Sequence, residues 1–139
     1  MPQSLTQIYI HIIFGTKYRD AIIDPNIKDQ LYNYLIDKLK YLDTSTLSIG
    51  GTEDHVHILC RQSKNYSASK IVEKIKTKSS HWLKSKGIFN FYWQGGYSAF
   101  SVSPSNLEVV KKYINSQEEH HKKVSFQDEF EYLLKKYNQ

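Results

Sequence analysis

Residues 50–60, GGTEDHVHILC, decide the fold because they predict the turn and the returning strand of a β-hairpin. Residues 54–61 alternate in the manner of a half-buried strand, and the two glycines supply the turn from a strand over residues 44–49. His55 and His57 leave the same face of the returning strand, because side chains alternate with a period of two. The pair fits two solvated surface histidines as well as it fits a functional site.

The chain on either side of this hairpin shows strand and helix patterns in a recognisable order. Besides the hairpin, we predict a strand over residues 5–15, helices over 25–41 and 67–86, one or two short strands within 91–103, and helices over 105–123 and 126–137. This order, β-α-β-β-α-β followed by two helices, predicts an α+β, ferredoxin-like fold. Its antiparallel sheet carries helices on one face, leaves the other face open, and forms one domain over residues 1–139.

Residues that cap helices support these boundaries. Asp24 is a predicted N-cap followed by proline at the first helical position. Ser105 and Glu108 have the spacing of a capping box, and Ser125 is placed to cap the last helix. We therefore expect an unbroken helix from residue 105 to about residue 123.

The composition excludes several classes of protein. The chain has 139 residues, a net charge of +5 and a single cysteine, Cys60, which cannot form an intramolecular disulfide. The apolar run over residues 8–14 is too short and wrongly flanked for a signal peptide, and no stretch approaches the ~20 apolar residues of a membrane span. We expect a soluble, reduced, cytoplasmic protein without a membrane partner.

Positive charge is concentrated between residues 61 and 86, a segment that contains eight basic residues and one acidic residue. Such a patch is the electrostatic footprint of a protein that meets phosphates, although lysine-rich helix faces also serve solubility. The candidate DNA-contacting residues in or beyond this segment are Arg61, Lys70, Lys74, Lys78 and Lys112.

Two imidazoles two residues apart on a strand can converge on one metal ion, but two ligands rarely hold a metal alone. His11 on the first strand is one candidate for the third ligand. Gln117 is another, and Tyr113 lies one helical turn before it, on the same helix face. With eleven tyrosines in the chain, Tyr113 can equally be a packing residue.

Four segments together resemble a known family: IYIHIIFGTKYR, GGTEDHVHIL, FYWQGGYSAFSVS and YINSQEEHH. A His-hydrophobic-His triplet on a strand, followed by Tyr-x-x-x-Gln on a helix, is similar to the single-tyrosine HUH transposases of the IS200/IS605 group. The REP-associated tyrosine transposases are related to them. The resemblance covers nearly the whole chain.

The resemblance implies roles for four residues. His55, His57 and Gln117 would hold Mg²⁺ or Mn²⁺, and Tyr113 would be the nucleophile. The implied reaction cleaves and rejoins single-stranded DNA at hairpin-containing ends of a mobile element through a 5′-phosphotyrosine. It also implies a homodimer in which the tyrosine helix of one subunit completes the histidine site of the other.

The chemistry is coherent with this reading. A phenol with a reference pKa near ~10 needs help to attack phosphorus, and a divalent ion can supply it. No phosphate-binding glycine loop occurs, in keeping with a reaction that needs no nucleotide. His120, three residues after Gln117, is a candidate for proton handling or for an ordinary interaction with the helix dipole.

Three aromatic residues follow the second long helix. Tyr92, Trp93 and Tyr97 can either stack on unpaired bases or pack in the interior.

Two other functions remain open besides the transposase. One is a non-catalytic nucleic-acid-binding protein of the same fold, domesticated or decayed. The other is a metal-dependent phosphodiesterase that uses water in place of Tyr113.

Overall fold

The computed structural model describes residues 4–121 and 125–137. Its strands and helices are, in chain order, β1 (Tyr9–Gly15), α1 (Pro25–Tyr41), β2 (Ser45–Gly51), β3 (His55–Arg61), α2 (Ala68–Ser85), β4 (Ser98–Val102), α3 (Leu107–Asn115), α4 (Gln117–His121) and α5 (Phe126–Tyr137). Among the described helices, none combines the length and the apolar composition needed to cross a membrane.

The four strands form one antiparallel sheet in the order β2-β3-β1-β4. Helix α1 connects β1 to β2 and helix α2 connects β3 to β4, so the β-α-β-β-α-β order and the ferredoxin-like α+β class are confirmed. In this order β1 and β3 are the central pair, with Ile13 opposite His57 and Gly15 opposite His55. The histidines therefore stand in the middle of the sheet rather than at an edge.

One face of the sheet is covered by α1 and α2. Every second residue of β1 and β3 points to this face, and all of these side chains are apolar. They pack against leucines and isoleucines of the two helices. The buried members are Ile10, Ile12, Phe14, Val56, Ile58, Cys60, Leu31, Leu35, Leu39, Ile71, Val72, Ile75 and Leu83, with Ile23 and Phe91 from the connecting segments. Val56, between the two histidines, is 0% exposed and belongs to this core.

The other face of the sheet is not open, which corrects the expectation from the element order. Val110 and Ile114 of α3 pack against Leu59, and Tyr137 of α5 stacks on Phe100 of β4 with ring centroids 4.4 Å apart. The C-terminal helices thus form a second layer on the face from which His55 and His57 project. A surface predicted to be free is instead the floor of an enclosed site.

Helix starts agree with the sequence in two of three places. Asp24 accepts a hydrogen bond from the backbone N–H of Asn26, 2.7 Å away, and Ser125 accepts one from Asp128. The capping box at Ser105 is wrong, because α3 begins at Leu107 after a short 3-10 turn and Asn106 makes no side-chain cap.

Two further boundaries differ from expectation. Gly50 and Gly51 lie inside β2 rather than in the turn, which falls at residues 52–54. Within residues 91–103, where one or two strands were predicted, the structure has one strand, β4, and a single bridge between Trp93 and Thr16.

Candidate active site

Strand β3 presents His55 and His57 to the enclosed space between the sheet and helices α3 and α5. Both side chains are 0% exposed. They lie on the same face because they are separated by one residue, and their ring centroids are 5.0 Å apart. Two polar rings buried at this depth require partners for their nitrogen atoms.

The ring of His55 is oriented by the turn that precedes it. Its Nδ1 lies 2.7 Å from Oδ1 of Asp54 and 2.9 Å from the hydroxyl of Thr52, which itself donates to the same carboxylate. Because a carboxylate only accepts, Nδ1 carries a hydrogen and Nε2 is left to face the interior. Burial alone lowers the pKa of His55, but hydrogen bonds with Asp54 and Glu129 outweigh it and raise the pKa above its usual value.

The ring of His57 is oriented by His11 on the neighbouring strand. Its Nδ1 lies 2.8 Å from Nε2 of His11, whose Nδ1 lies 3.0 Å from the hydroxyl of Tyr137. Burial, followed by repulsion from His57, lowers the pKa of His11 to about 3. His11 is therefore neutral, and both of its nitrogens are engaged in this chain of contacts.

The remaining nitrogens of the two histidines converge with two oxygen atoms. Nε2 of His55 lies 3.1 Å from Oε1 of Gln117, and Nε2 of His57 lies 2.9 Å from Oε1 of Glu129. Glu129 is also 3.6 Å from Nε2 of His55. These four side chains, which we call the ligand cluster, are each at most 1% exposed.

The ligand cluster has the donor set and the spacing of a metal site. The candidate ligand atoms of His55, His57 and Glu129 lie within 4.8 Å of one another. Neighbouring ligands on one ion, with bonds of ~2.0–2.2 Å, stand ~3.0–3.5 Å apart, close to the separations observed. Two imidazole nitrogens with carboxylate and amide oxygens suit a divalent ion such as Mn²⁺, Mg²⁺ or Zn²⁺.

Tyr113 lies beside the ligand cluster on α3. Its ring centroid is 5.8 Å from that of His57 and 6.3 Å from that of His11, and its hydroxyl oxygen is buried. Burial and a hydrogen bond with the Glu129 carboxylate raise the pKa of the phenol well above its usual value, although a hydrogen bond with Gln117 opposes them. The phenol is consequently neutral and close to a carboxylate.

The helix that carries Tyr113 does not continue through Gln117. α3 ends at Asn115, Ser116 adopts a non-helical conformation, and α4 begins at Gln117. The side chains nevertheless meet, because the Gln117 amide donates to the backbone carbonyl of Tyr113 over 3.4 Å. The predicted proximity of the two residues therefore holds on a broken helix.

Helix α3 lies unusually close to β2 at one point. A Cβ atom built on Gly50 would stand 2.4 Å from the carbonyl oxygen of Ile114. Gly50 is paired with His57 in the sheet, and Ile114 follows Tyr113 in the chain. The missing side chain thus lets the tyrosine helix approach the histidine strand.

The predicted DNA-contacting residues do not form one surface. Lys70, Lys74 and Lys78 are exposed on α2, in the layer on the opposite side of the sheet from the ligand cluster. Arg61 is at the far end of β3 from His55 and donates to the carbonyl of Thr6 over 2.8 Å. Lys112 is exposed on α3, beside Tyr113.

The three aromatic candidates for base stacking separate into two groups. Trp93 is packed between Phe14 and Phe91, with centroids 4.7 Å from each, and its indole donates to Ser79. Tyr92 and Tyr97 are 53% and 43% exposed. The side chain of His120, together with Lys122 and Lys123, lies outside the described residues.

Sequence reasoning missed Glu129 and the residues that orient the histidines. Glu129 lies four residues before Leu133 and eight before Tyr137, within the apolar stripe of the last helix. A carboxylate in an apolar stripe is the signal that could have found it. Asp54 directly before His55 is a weaker signal of the same kind.

Comparison with known proteins gives consistent matches. A family model described as "Transposase IS200 like" matches residues 4–117. The ISDra2 transposase TnpA of Deinococcus radiodurans is 25% identical over 118 residues, which cover 80% of this chain and 84% of the relative.

Two solved structures share the fold. A candidate transposase from Deinococcus radiodurans superposes with a TM-score of 0.66 at 20% identity, covering 84% of this chain and 98% of the other. A REP-associated tyrosine transposase bound to a REP hairpin superposes with a TM-score of 0.67 at 13% identity, covering 89% and 74%. Since the family model spans most of the sequence, the chain belongs to the family of IS200-like transposases.

Proposed function

We propose that this transposase cleaves and rejoins single-stranded DNA at mobile-element ends, with Tyr113 as the nucleophile and His55, His57 and Gln117 as ligands of a divalent metal ion. The observation that supports this most directly is the ligand cluster itself. Its nitrogen and oxygen atoms converge beside the buried hydroxyl of Tyr113. Glu129 joins the proposed ligands as a fourth.

The proposed cleavage exchanges one phosphodiester for another. The Tyr113 oxygen bonds to phosphorus, the bond from phosphorus to the 3′ oxygen breaks, and the departing strand takes up a proton as a free 3′-hydroxyl. The product is a 5′-phosphotyrosine, which a 3′-hydroxyl of another strand attacks in the reverse sense to release the tyrosine. Because the number of phosphoester bonds is unchanged, no nucleotide cofactor is required.

The residues of the site have separate roles in the proposed reaction. A bound Mg²⁺ or Mn²⁺ would neutralise charge on the scissile phosphate and favour in-line attack. Asp54 holds His55, and His11 holds His57, with Nε2 turned inward. The carboxylate of Glu129, which lies close enough to raise the pKa of the phenol, would receive its proton.

Access to the site requires movement. The four members of the ligand cluster are at most 1% exposed, so a DNA phosphate cannot reach them while α5 covers the sheet. Helix α5 supplies both Glu129 and the Tyr137 hydroxyl contact to His11. We therefore include in the proposal that α5 shifts far enough to admit DNA while Glu129 keeps its place beside the metal.

The proposed substrate is a DNA end that contains a hairpin, and the proposed assembly is a homodimer. The first is supported by the neighbouring structure of a transposase bound to a REP hairpin. The homodimer places a condition on the nucleophile. Because Tyr113 lies beside the histidines of its own chain, an active site shared between subunits would require α3 to exchange between them. Lys112 is the predicted basic residue closest in sequence to the nucleophile.

The test is a covalent adduct on a denaturing gel. The protein is incubated with Mn²⁺ or Mg²⁺ and single-stranded DNA carrying candidate hairpin ends. We expect an adduct in the wild type, none in Tyr113→Phe, and an undiminished adduct in the control Tyr41→Phe, whose exposed ring lies at the end of α1. His57→Ala should abolish cleavage and keep most of the single-strand affinity.

Other outcomes favour the alternatives. Cleavage without an adduct would indicate a phosphodiesterase that uses water. Binding without cleavage under all metal conditions would indicate the non-catalytic nucleic-acid-binding protein. Unchanged cleavage in His57→Ala would refute the metal site.

A further inference from the structure

The loop after β1 is strained without an evident packing reason. Tyr18 and Arg19 both have positive backbone φ angles, 61° and 58°, which non-glycine residues rarely adopt, and here they do so consecutively. The ring of Tyr18 is 80% exposed, so burial of the side chain does not compensate for this backbone. Strain of this kind is concentrated at functional sites.

The loop is nonetheless held firmly in place. The hydroxyl of Thr16 donates to the carbonyl of Asp20 over 2.8 Å, and the N–H of Lys17 donates to the carbonyl of Tyr92 over 2.9 Å. The next contact is between the N–H of Gln94 and the carbonyl of Gly15, also 2.8 Å. The exposed tyrosine is therefore presented by a fixed backbone attached to the end of the sheet.

Two exposed tyrosine rings and two lysines meet at this loop. The ammonium of Lys17 lies 5.3 Å from the ring centroid of Tyr18 and 5.7 Å from that of Tyr92. Lys84 contributes a second ammonium 4.2 Å from the Tyr92 ring. We call these four side chains the tyrosine platform; it combines aromatic faces with positive charge.

Two adjoining cavities form a groove from the tyrosine platform to α5, the helix that carries Glu129. A cavity of about 410 Å³ at the platform and a second of about 240 Å³ share Arg19, Gln94 and Gly95 in their walls. The second cavity reaches Gln127 and Phe130, which lie on either side of Glu129 in α5.

The floor of the groove is held open. Apart from its chain neighbours, no described residue has an atom within 4 Å of a Cβ built on Gly95 or Gly96. Lys76 of α2 fixes this segment by donating to the carbonyls of Gln94 and Gly96 over 2.7 Å each. At Gly95 and Gly96 a flexible chain entering the groove would meet exposed backbone.

We propose that the tyrosine platform binds the unpaired strand of the DNA substrate, with a base stacked on Tyr18 and the adjoining phosphate beside Lys17, and that the groove conducts this strand to Tyr113. A DNA single strand alternates flat bases with negatively charged phosphates, which complement the rings and ammonium groups of this surface. Stacking on tyrosine needs an unpaired base. The inference rests on the proposed function for the identity of the substrate. The surface itself was not predicted, since Tyr92 was the only one of its four side chains among the stacking candidates from the sequence.

The experiment measures the affinity of the full chain for a fluorescein-labelled single strand and for the duplex of the same sequence, by fluorescence anisotropy. Tyr18→Ala and Tyr18→Gly should both weaken single-strand binding about tenfold, while Tyr18→Phe keeps it. The glycine variant removes the ring and also relieves the positive φ, so a loss there cannot come from backbone strain. Duplex affinity should change by less than about twofold.

Tyr41→Ala is the matched control. Tyr41 is 78% exposed and has Lys38 5.1 Å from its ring, yet it is the last residue of the 17-residue helix α1 and lines neither cavity of the groove. We expect no loss of single-strand affinity in this variant. A tenfold loss in Tyr41→Ala without one in Tyr18→Ala would overturn the proposal and move the DNA to the face formed by α1 and α2.

Two more results would overturn it: wild-type affinity in both ring-removing variants, or an equal loss for single strand and duplex. The adduct assay of the wild type separates this inference from the proposed function. An adduct together with unchanged Tyr18→Ala affinity rejects the platform alone. A platform effect without any adduct rejects the tyrosine chemistry alone.

Discussion

Nε2 of His11 lies 2.8 Å from Nδ1 of His57, and this contact joins the two central strands on the face of the site. His11 is neutral, with its pKa lowered to about 3 first by burial. When the Nδ1 hydrogen of His57 is donated to His11, Nε2 of His57 keeps its lone pair for a metal ion. In the proposed metal site His11 is thus a positioning residue rather than the third ligand considered from the sequence.

Replacing His11 should weaken metal binding without removing a ligand. We expect His11→Phe to lower the affinity for Mn²⁺ by about 10- to 100-fold, because the orientation of His57 is lost. Isothermal titration calorimetry with Mn²⁺ measures this, with His81→Phe on the exposed side of α2 as the control. Wild-type affinity in a folded His11→Phe protein would show that the contact does not orient the ligand.

Glu129 should contribute its charge to the metal site. We expect Glu129→Gln to reduce Mn²⁺ affinity at least about tenfold, because a neutral amide replaces a carboxylate in a site with little water. Glu131→Gln, an isosteric change on the exposed side of the same helix, should leave the affinity unchanged. Equal affinity of the two variants would remove Glu129 from the ligand set.

A mixture of two inactive variants tests which chain supplies the nucleophile. In the structure Tyr113 faces His57 of the same chain, so mixing Tyr113→Phe with His57→Ala should restore no adduct. A shared site would instead give mixed dimers one complete active site. Restored adduct would establish exchange of α3 between subunits, and analytical ultracentrifugation of each variant checks that dimers are present.

Gly50 should be intolerant of any side chain. A methyl group there would meet the carbonyl oxygen of Ile114 at 2.4 Å, so we expect Gly50→Ala to lower the free energy of unfolding by about 1–3 kcal/mol and to reduce adduct formation. Gly95→Ala is the control for stability alone, since its Cβ would meet no atom of the described residues within 4 Å. Urea denaturation of both variants measures the difference, and equal stabilities would contradict the close approach.

Cys60 should be unreactive in the folded protein. Burial raises the pKa of its thiol to about 12, so only about one molecule in ten thousand carries the thiolate at pH 8. We expect an aromatic disulfide reagent to modify Cys60 only after unfolding in urea. Rapid modification under native conditions would show that the core around β3 opens.

The order of strands and helices followed from local patterns. Asp24 with Pro25, and the alternation through His55 and His57, depend on residues close in sequence, so they could be assigned without tertiary information. The same alternation places Val56 in the core. The family resemblance then supplied the expectation that Tyr113 and Gln117 meet the histidines.

What could not be predicted depends on contacts between distant segments. The break at Ser116 and the place of Gly50 inside β2 both arise where α3 presses on the sheet, and no local signal marks that contact. Glu129 enters the site because α5 folds over the face that the element order left open. Tyr18 was overlooked because positive φ angles at consecutive non-glycine residues have no sequence signature.

Lys76 belongs to the basic segment over residues 61–86, but it has a structural role that the net charge of the segment does not reveal. Its ammonium is already bonded to two carbonyl oxygens, and burial lowers its pKa. A lysine held in this way does not neutralise a DNA phosphate, so it displaces no counterion from the DNA. A plot of the logarithm of affinity against the logarithm of salt concentration should therefore be less steep than the number of lysines implies. Part of the segment's charge therefore serves the shape of the binding surface rather than its attraction for DNA.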